Sequence, residues 1–285
     1  MSELAGPLRI GVLGAARIAP SALIKPAKDN ADVVVTAVAA RDGSRARAFA
    51  AKHDIARVHE SYDALIADLA AKSDRVVMEA FHYRYHPLAL RTEQIIASGE
   101  LGKLERVEAA LCFPLPKFSD IRYNYSLAGG ALMDAGCYAV HMARTFGRST
   151  PEVVSAQAKL RNPQIDRAMT AELRFPEGHT GRVRCSMWSS RLLEISAHVV
   201  GDRGEAHLFN PVTPHFLHWL SVRSSNGKRV ERFSRRPSYA YQLDAFSGAV
   251  LRGEPVKTTP ADAVENMTVI DAIYRAAGLP LREPS

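Results

Sequence analysis

The chain opens on an apolar-rich run, Leu8 to Leu13, that stops at Gly14, and apolar positions at Ile18, Ala22, Leu23 and Ala27 then repeat at helical spacing. Strand, tight turn and helix are predicted in that order. Residues 33–40 are nearly continuous and β-branched, the pattern of a parallel strand covered on both faces. An Ala- and Arg-rich helix over 44–52, a brief strand at 55–58 and a helix capped by Ser61 follow. Residues 75–81 read as another buried strand, expected beside the first one.

After Phe81 the pattern changes. Pro87 opens a helix that carries Leu88, Arg91, Ile95 and Ile96 and closes at Gly99. Val107, Ala109, Leu111 and Phe113 alternate with polar or small residues, and Met169, Ala171, Leu173 and Phe175 do the same. Past the turn Pro176 to His179, the apolar face continues through Gly181, Val183, Cys185 and Met187. Further strands are predicted at 153–160, 195–200, 205–209, 217–222 and 228–233, with Asn226-Gly227 the strongest hairpin signal. Helices return over 239–251 and after Thr259, the last with Val264, Met267, Ile270 and Ile273 expected on one face.

The fold class is therefore α/β: an N-terminal Rossmann-like parallel sheet and a C-terminal α/β domain with an open, mostly antiparallel sheet. The expected divisions are 1–84 for dinucleotide binding, 85–262 for substrate and oligomerisation, and 263–285 as a helix and tail returning to the nucleotide domain. Of the 285 residues, 47% are apolar and 24% charged, which leaves little room for a long disordered tract. The net charge of +7 is scattered, and no basic-aromatic module accompanies it, so nucleic acid is not an expected partner. Cys112, Cys137 and Cys185 are too widely spaced for a CxxC pair, and no metal cluster is evident. No apolar run reaches membrane-spanning length and Met1 to Pro7 is unlike a signal sequence, so a cytoplasmic protein without targeting segment is expected.

The first turn, Gly11-Val-Leu-Gly14-Ala-Ala16-Arg17-Ile18-Ala19, is a degenerate dinucleotide fingerprint in which Ala16 and Ala19 stand where glycines often occur. Small residues there let helix amides approach a pyrophosphate. The second strand ends in Ala39-Ala40-Arg41, without the carboxylate that receives the ribose hydroxyls of NAD. Arg41 and Arg45 suit a 2′-phosphate instead, so NADP is expected, with NAD possible. The other reading of both arginines is the solvated start of a helix.

Four segments in order carry a resemblance: Gly11 to Ala19, Met78-Glu79-Ala-Phe-His82-Tyr-Arg84-Tyr-His86-Pro87, Gly129-Gly130-Ala-Leu-Met-Asp134-Ala-Gly-Cys-Tyr138, and Gln242-Leu-Asp-Ala-Phe246. Together they resemble the glucose-fructose oxidoreductase and inositol dehydrogenase family, in its dihydrodiol dehydrogenase-like branch. The resemblance implies a dehydrogenase that oxidises hydroxyls of sugars, polyols or diols, or reduces the carbonyls, and that dimerises through its C-terminal sheet. It also implies a Glu-Lys-Pro motif, and no such tripeptide exists in this sequence. By comparison with a complete doubly wound unit, about 40 to 50 residues are expected to be missing near 68–70. Lys72, which precedes a strand and has no following Pro, does not replace the motif's lysine. Either the protein is a shortened homologue or the sequence omits a segment, and catalysis is in question in both cases.

Asp134, Tyr138 and His141 fall near one face of a helix if Asp134 caps it. Asp134 is then a candidate to accept a substrate hydroxyl, and Tyr138 to exchange its proton, with His141 as the alternative acid or base. The family pattern Asp-x-Gly-x-(His or Tyr) ends at Tyr138. Glu79 and Arg84 are candidate cofactor or substrate contacts, Arg84 through its fixed donor geometry. Capping, core packing and an ordinary ion pair are the plainer alternatives for these residues.

Overall fold

The computed structural model describes residues 6–40, 42–60, 76–188, 190 and 193–282. The chain divides into two units, 1–85 with 236–259 and 86–235 with 260–285. In the first, β1 (Leu8–Leu13), β2 (Val33–Ala39) and β3 (Arg57–His59) form a parallel sheet in that order. β2 lies in the middle, which explains its nearly continuous apolar run: Ala37, Val38 and Ala39 are fully buried. A π-helical turn (Pro20–Ile24) runs into α1 (Lys25–Lys28) between β1 and β2, and α2 (Gly43–His53) joins β2 to β3. Val12, Ala19, Ile24, Val38, Ala50 and Ile55 make one core. The helix Ser238–Arg252 belongs to this unit rather than to the expected 85–262 domain, and its Leu243 packs with Ala27 and Val33.

Residues 76–81 join no sheet. The backbone of Glu79 is satisfied by a distant segment instead: its N–H donates to Thr258 O at 2.9 Å, and its carbonyl accepts from Thr258 Oγ1 at 2.7 Å and Gln242 Nε2 at 3.3 Å. The predicted strand beside β1 is thus corrected over its described residues. The helix expected from Ser61 and the join near Asp68 lie outside the described residues.

The second unit begins with α3 (Pro87–Ala97). Its eight-stranded sheet contains β4 (Leu104–Cys112), then β5 (Glu152–Asn162), β6 (Ile165–Arg174), β7 (Thr180–Ser186) and β8 (Glu194–Gly201), followed by β9 (Gly204–Phe209), β10 (Trp219–Ser224) and β11 (Gly227–Glu231). The order is β11-β10-β9-β8-β4-β7-β6-β5, antiparallel throughout except where β4 pairs with β7. Between β4 and β5 come a second π-helical turn (Leu132–Gly136) and α4 (Cys137–Gly147). With Ser238–Arg252 numbered α5, the last helix is α6 (Pro260–Ala276). α4 packs on β4, β7 and β8, and α6 packs on β5 and α4. Beneath them Val107, Ala109, Ala171, Val183 and Ala197 are buried. The opposite sheet face is polar, with Glu172, Arg182, Glu108, His198 and His207 in register across five strands.

α6 therefore belongs to the second unit, and it is rotated from the expected face. Val264 is 66% exposed, while Asn266, Val269, Ile270, Ile273 and Tyr274 are buried. Polar residues can face inward there because each has a partner: Asn266 Nδ2 donates to Cys137 O at 3.2 Å and Tyr274 OH to Asp166 at 3.1 Å.

His86 caps α3. Its Nδ1 accepts from Leu88 N–H at 3.2 Å, and Nε2 donates to Ser234 O at 3.0 Å, a pairing that requires the neutral ring. Burial lowers its pKa to about 4, helped by His218 and His215 and opposed by the Ser234 bond. The unfolded chain takes up the proton first, so this stabilisation is complete above about pH 6.5 and is lost as the pH falls towards 4. Urea titrations at pH 7 and pH 4.5 should differ by about 2–3 kcal/mol through this residue. His86→Asn, which keeps the cap acceptor, should flatten the dependence by that amount, and an unchanged slope would contradict the assignment.

Candidate functional site

In the first unit the site is built at the end of β1. Gly14 has φ +99°, a conformation open mainly to glycine, and its N–H donates to Ala39 O at 2.7 Å. This bond holds the turn against the end of β2. Ala16, Arg17 and Ile18 continue the turn and are exposed, and the helix then starts in π geometry, a distortion that recurs at functional sites. Gly11 is not part of the turn: it lies within β1, opposite Ala37, at a register shift.

At the end of β2 the first carboxylate, Asp42, is used locally. It accepts from Ser44 Oγ at 2.6 Å, Ser44 N–H at 2.9 Å and Arg45 N–H at 3.2 Å, capping α2, and these bonds hold it below the ordinary carboxylate pKa, the Ser44 hydroxyl contributing most. Arg45 reaches back to the turn, donating to Ala15 O at 3.2 Å. Arg41 and Lys72 lie outside the described residues. Glu79 is exposed and accepts from Ala80 N–H at 3.1 Å. Arg84 is half-buried in a short 3-10 turn (His82–Tyr85), where His82 Nδ1 lies 2.8 Å from Ser238 Oγ. A cavity of about 190 Å³ opens beside β1, between Ile10, Leu23, Met78, Tyr239 and Phe246.

In the second unit the Gly129–Gly130 turn leads into the helix that carries the other candidates. The Gly129 and Gly130 N–H groups donate to Asn124 O at 2.9 Å and Arg122 O at 2.8 Å, and Gly130 O accepts from Asp134 N–H at 3.1 Å. Asp134 is therefore inside the π-helical turn and does not cap the helix as expected. Its carboxylate accepts from Arg122 Nε at 2.9 Å. Burial raises the Asp134 pKa, and Arg122 opposes that rise. Tyr138, four residues on, is half-buried. A paired carboxylate and a phenol on adjoining turns can bind a hydroxyl and exchange its proton.

His141 is buried and paired with a second carboxylate. Its side chain is 1% exposed and Nε2 lies 2.7 Å from Asp262, which also accepts from Arg144 at 3.0 Å. Burial would raise Asp262, but the His141 bond and Arg144 outweigh it and hold the carboxyl low. His141 thus ties α4 to the start of α6 through Asp262.

Four residues near the site carried no local sequence signal. Arg122 is paired with Asp134, while Asp166, Tyr274 and Arg282 form a buried group behind the glycine turn. Among the described residues no group of three His, Cys, Asp or Glu side chains could hold a metal ion, and no helix is long and apolar enough to cross a membrane.

Residues 89–207 match the family model described as the GFO/IDH/MocA C-terminal domain. The chain is 30% identical to D-xylose 1-dehydrogenase (NADP(+)) 2 of Haloferax volcanii, with 95% of this chain and 97% of that protein covered. That alignment runs over 318 positions against the 285 residues here, so at least 33 positions face no residue of this chain. Human trans-1,2-dihydrobenzene-1,2-diol dehydrogenase is 28% identical over 62% of this chain and 66% of its own length. Among solved structures, the fold is similar to a 3-ketoreductase from Actinomadura kijaniata in complex with NADP and TDP-benzene, at TM-score 0.83 and 20% identity, covering 95% of this chain and 98% of that one.

Gly130 has φ +138°, and a Cβ there would meet Asp166 Oδ1 at 2.3 Å, Tyr274 OH at 2.8 Å and Arg282 at 2.9 Å. Gly130→Ala should cost about 3 kcal/mol or more in urea unfolding. Gly178→Ala shares only the positive φ, with nothing within 4 Å, and should cost about 1 kcal/mol. Equal costs would contradict the steric assignment at Gly130.

Proposed function

Since the chain belongs to the GFO/IDH/MocA family, we propose that it is an NADP-dependent oxidoreductase acting on a CH–OH or carbonyl group of a small sugar, polyol or diol. The end of β2 carries the cofactor part of this reading. Its strand-end residues are small and carry no carboxylate, and the nearest described one, Asp42, caps α2 through three bonds to a single oxygen, so the strand end lacks the usual acceptor for the ribose hydroxyls of NAD. The turn from Gly14 to Ile18 takes the pyrophosphate on small residues and the following helix start. Arg41 and Arg45 take the 2′-phosphate, and Glu79 and Arg84 are further cofactor contacts. NADP, when bound, supplies the hydride acceptor and NADPH the donor. Asp134, held by Arg122, accepts a hydrogen bond from the substrate, and Tyr138 exchanges the proton of the reacting hydroxyl. The polar sheet face is the proposed contact of a homodimer, the common symmetric solution.

A second reading, a homologue that binds cofactor with impaired turnover, is favoured by two observations: no Glu-Lys-Pro tripeptide and at least 33 relative positions without a counterpart. We place the shortening near 68–70, in the nucleotide domain.

Fluorescence titrations with NADPH and NADH, followed by NADPH production across a panel of aldoses, polyols and diols, decide between the two. The first reading predicts preference for NADPH, roughly tenfold or more reduced in Arg41→Ala. It also predicts turnover that falls roughly 100-fold or more in Tyr138→Phe. An unchanged preference in Arg41→Ala removes that residue's role, and tight NADPH binding with no turnover on any substrate selects the impaired homologue.

A further inference from the structure

We propose that Arg282 is a positioning residue for the candidate substrate site, acting through the Gly129–Gly130 turn on the helical turn that bears Asp134. Its guanidinium is enclosed, with the side chain 1% exposed, and every edge is occupied. Nε donates to Gly129 O at 2.9 Å, one terminal nitrogen to Pro280 O at 2.7 Å, and the other to Gln164 O at 3.0 Å and Asp166 Oδ1 at 3.2 Å. Its faces are covered by the rings of Tyr274 and Tyr125, at 4.2 and 4.9 Å. The Tyr125 hydroxyl returns to the same segment, donating to Leu281 O at 2.8 Å.

The far side of this group reaches the site. Asp166, fully buried, accepts from Leu132 N–H at 2.7 Å, the first residue of the π-helical turn. Gly129 O, fixed by Arg282, is one residue from Gly130 O, which accepts from Asp134 N–H at 3.1 Å. Two strands of bonding therefore run from one guanidinium to the turn holding Asp134. A planar five-donor group can hold both, whereas an ammonium cannot satisfy the same fork. The guanidinium is closed off by these partners, so Arg282 acts only through the backbone it holds. Its effect on turnover rests on the assignment of Asp134 to the substrate; its effect on the turn does not.

The test uses the full chain with Arg282→Lys, Arg282→Met and the pair Asp166→Asn with Arg282→Met. The pair leaves no buried lone charge, keeps an acceptor for Leu132 N–H and covers the case in which Arg282→Met alone does not fold. Amide exchange at Gly130, Leu132 and Asp134 should quicken at least tenfold in the folded double variant, with Val140 to Phe146 unchanged. NADPH affinity should stay within twofold, while kcat falls roughly tenfold or more with a smaller change in KM, and Arg282→Lys should recover part of the loss. Exchange at the turn equal to wild type, or quickened evenly over α4 and the sheet, overturns the proposal. Quickened exchange at the turn with unaltered kcat overturns its bearing on the site. Wild-type protein that turns over no substrate defeats the functional reading, and the exchange measurement alone then decides whether Arg282 holds the turn.

Discussion

A carboxylate removed from water must be met by donors on every side, and Asp166 sets that requirement at the centre of the second unit. Burial raises its pKa, against the Leu132 amide, the Arg282 guanidinium and the Tyr274 hydroxyl. Each donor comes from a different stretch of chain, so one buried charge fixes the glycine turn, the inward face of α6 and the segment after it. Towards Asp166 the Tyr274 hydroxyl is the donor, and burial and the nearby carboxylate keep it protonated by pushing its pKa up. Gly130 has to be glycine because three polar atoms of this group fill the space of a side chain.

In the first unit a comparable economy governs the end of β2. Asp42 closes the helix start and Arg45 crosses to Ala15 O, so the turn after β1 is braced from β2 and from α2. The bracing leaves Ala16, Arg17 and Ile18 exposed on a turn of fixed shape. Preorganised backbone of this kind binds a phosphate without reorganising, which is how a degenerate fingerprint with alanines in place of glycines can still serve.

Elements whose burial follows their own periodicity were legible in the sequence. β2 showed its burial on both faces over Ala37 to Ala39, though not at Val34, and the alternation of β6 and β7 showed which residues meet the helices. Misreadings occurred where a distant partner decides the outcome. Residues 76–81 look like a strand, but Val77 is 63% exposed and the backbone of Glu79 is satisfied by Thr258, far along the chain. Val264 and Met267 look like a core stripe, yet Asn266 and Tyr274 displace them because their polar groups find partners on Cys137 and Asp166. At the candidate site, Asp134 and Tyr138 were named from their motif, and their placement on adjoining helical turns follows from their spacing. The π geometry, the Arg122 pair and the burial of His141 against Asp262 were not, since none has a local pattern.

The chemical question turns on whether this chain aligns a substrate carbon for hydride transfer without the Glu-Lys-Pro lysine. Reacting groups misplaced by about 1 Å can lose roughly a hundredfold in rate, so binding of both ligands would not by itself establish the reaction. The direct measurement is isotope transfer: wild-type protein is incubated with NADP and an aldose deuterated at the carbon bearing the reacting hydroxyl, and the recovered NADPH is weighed by mass spectrometry. Deuterium on the nicotinamide, abolished or strongly reduced in Tyr138→Phe, is the result predicted for an active oxidoreductase. Unlabelled cofactor after prolonged incubation, with NADP bound, would contradict it.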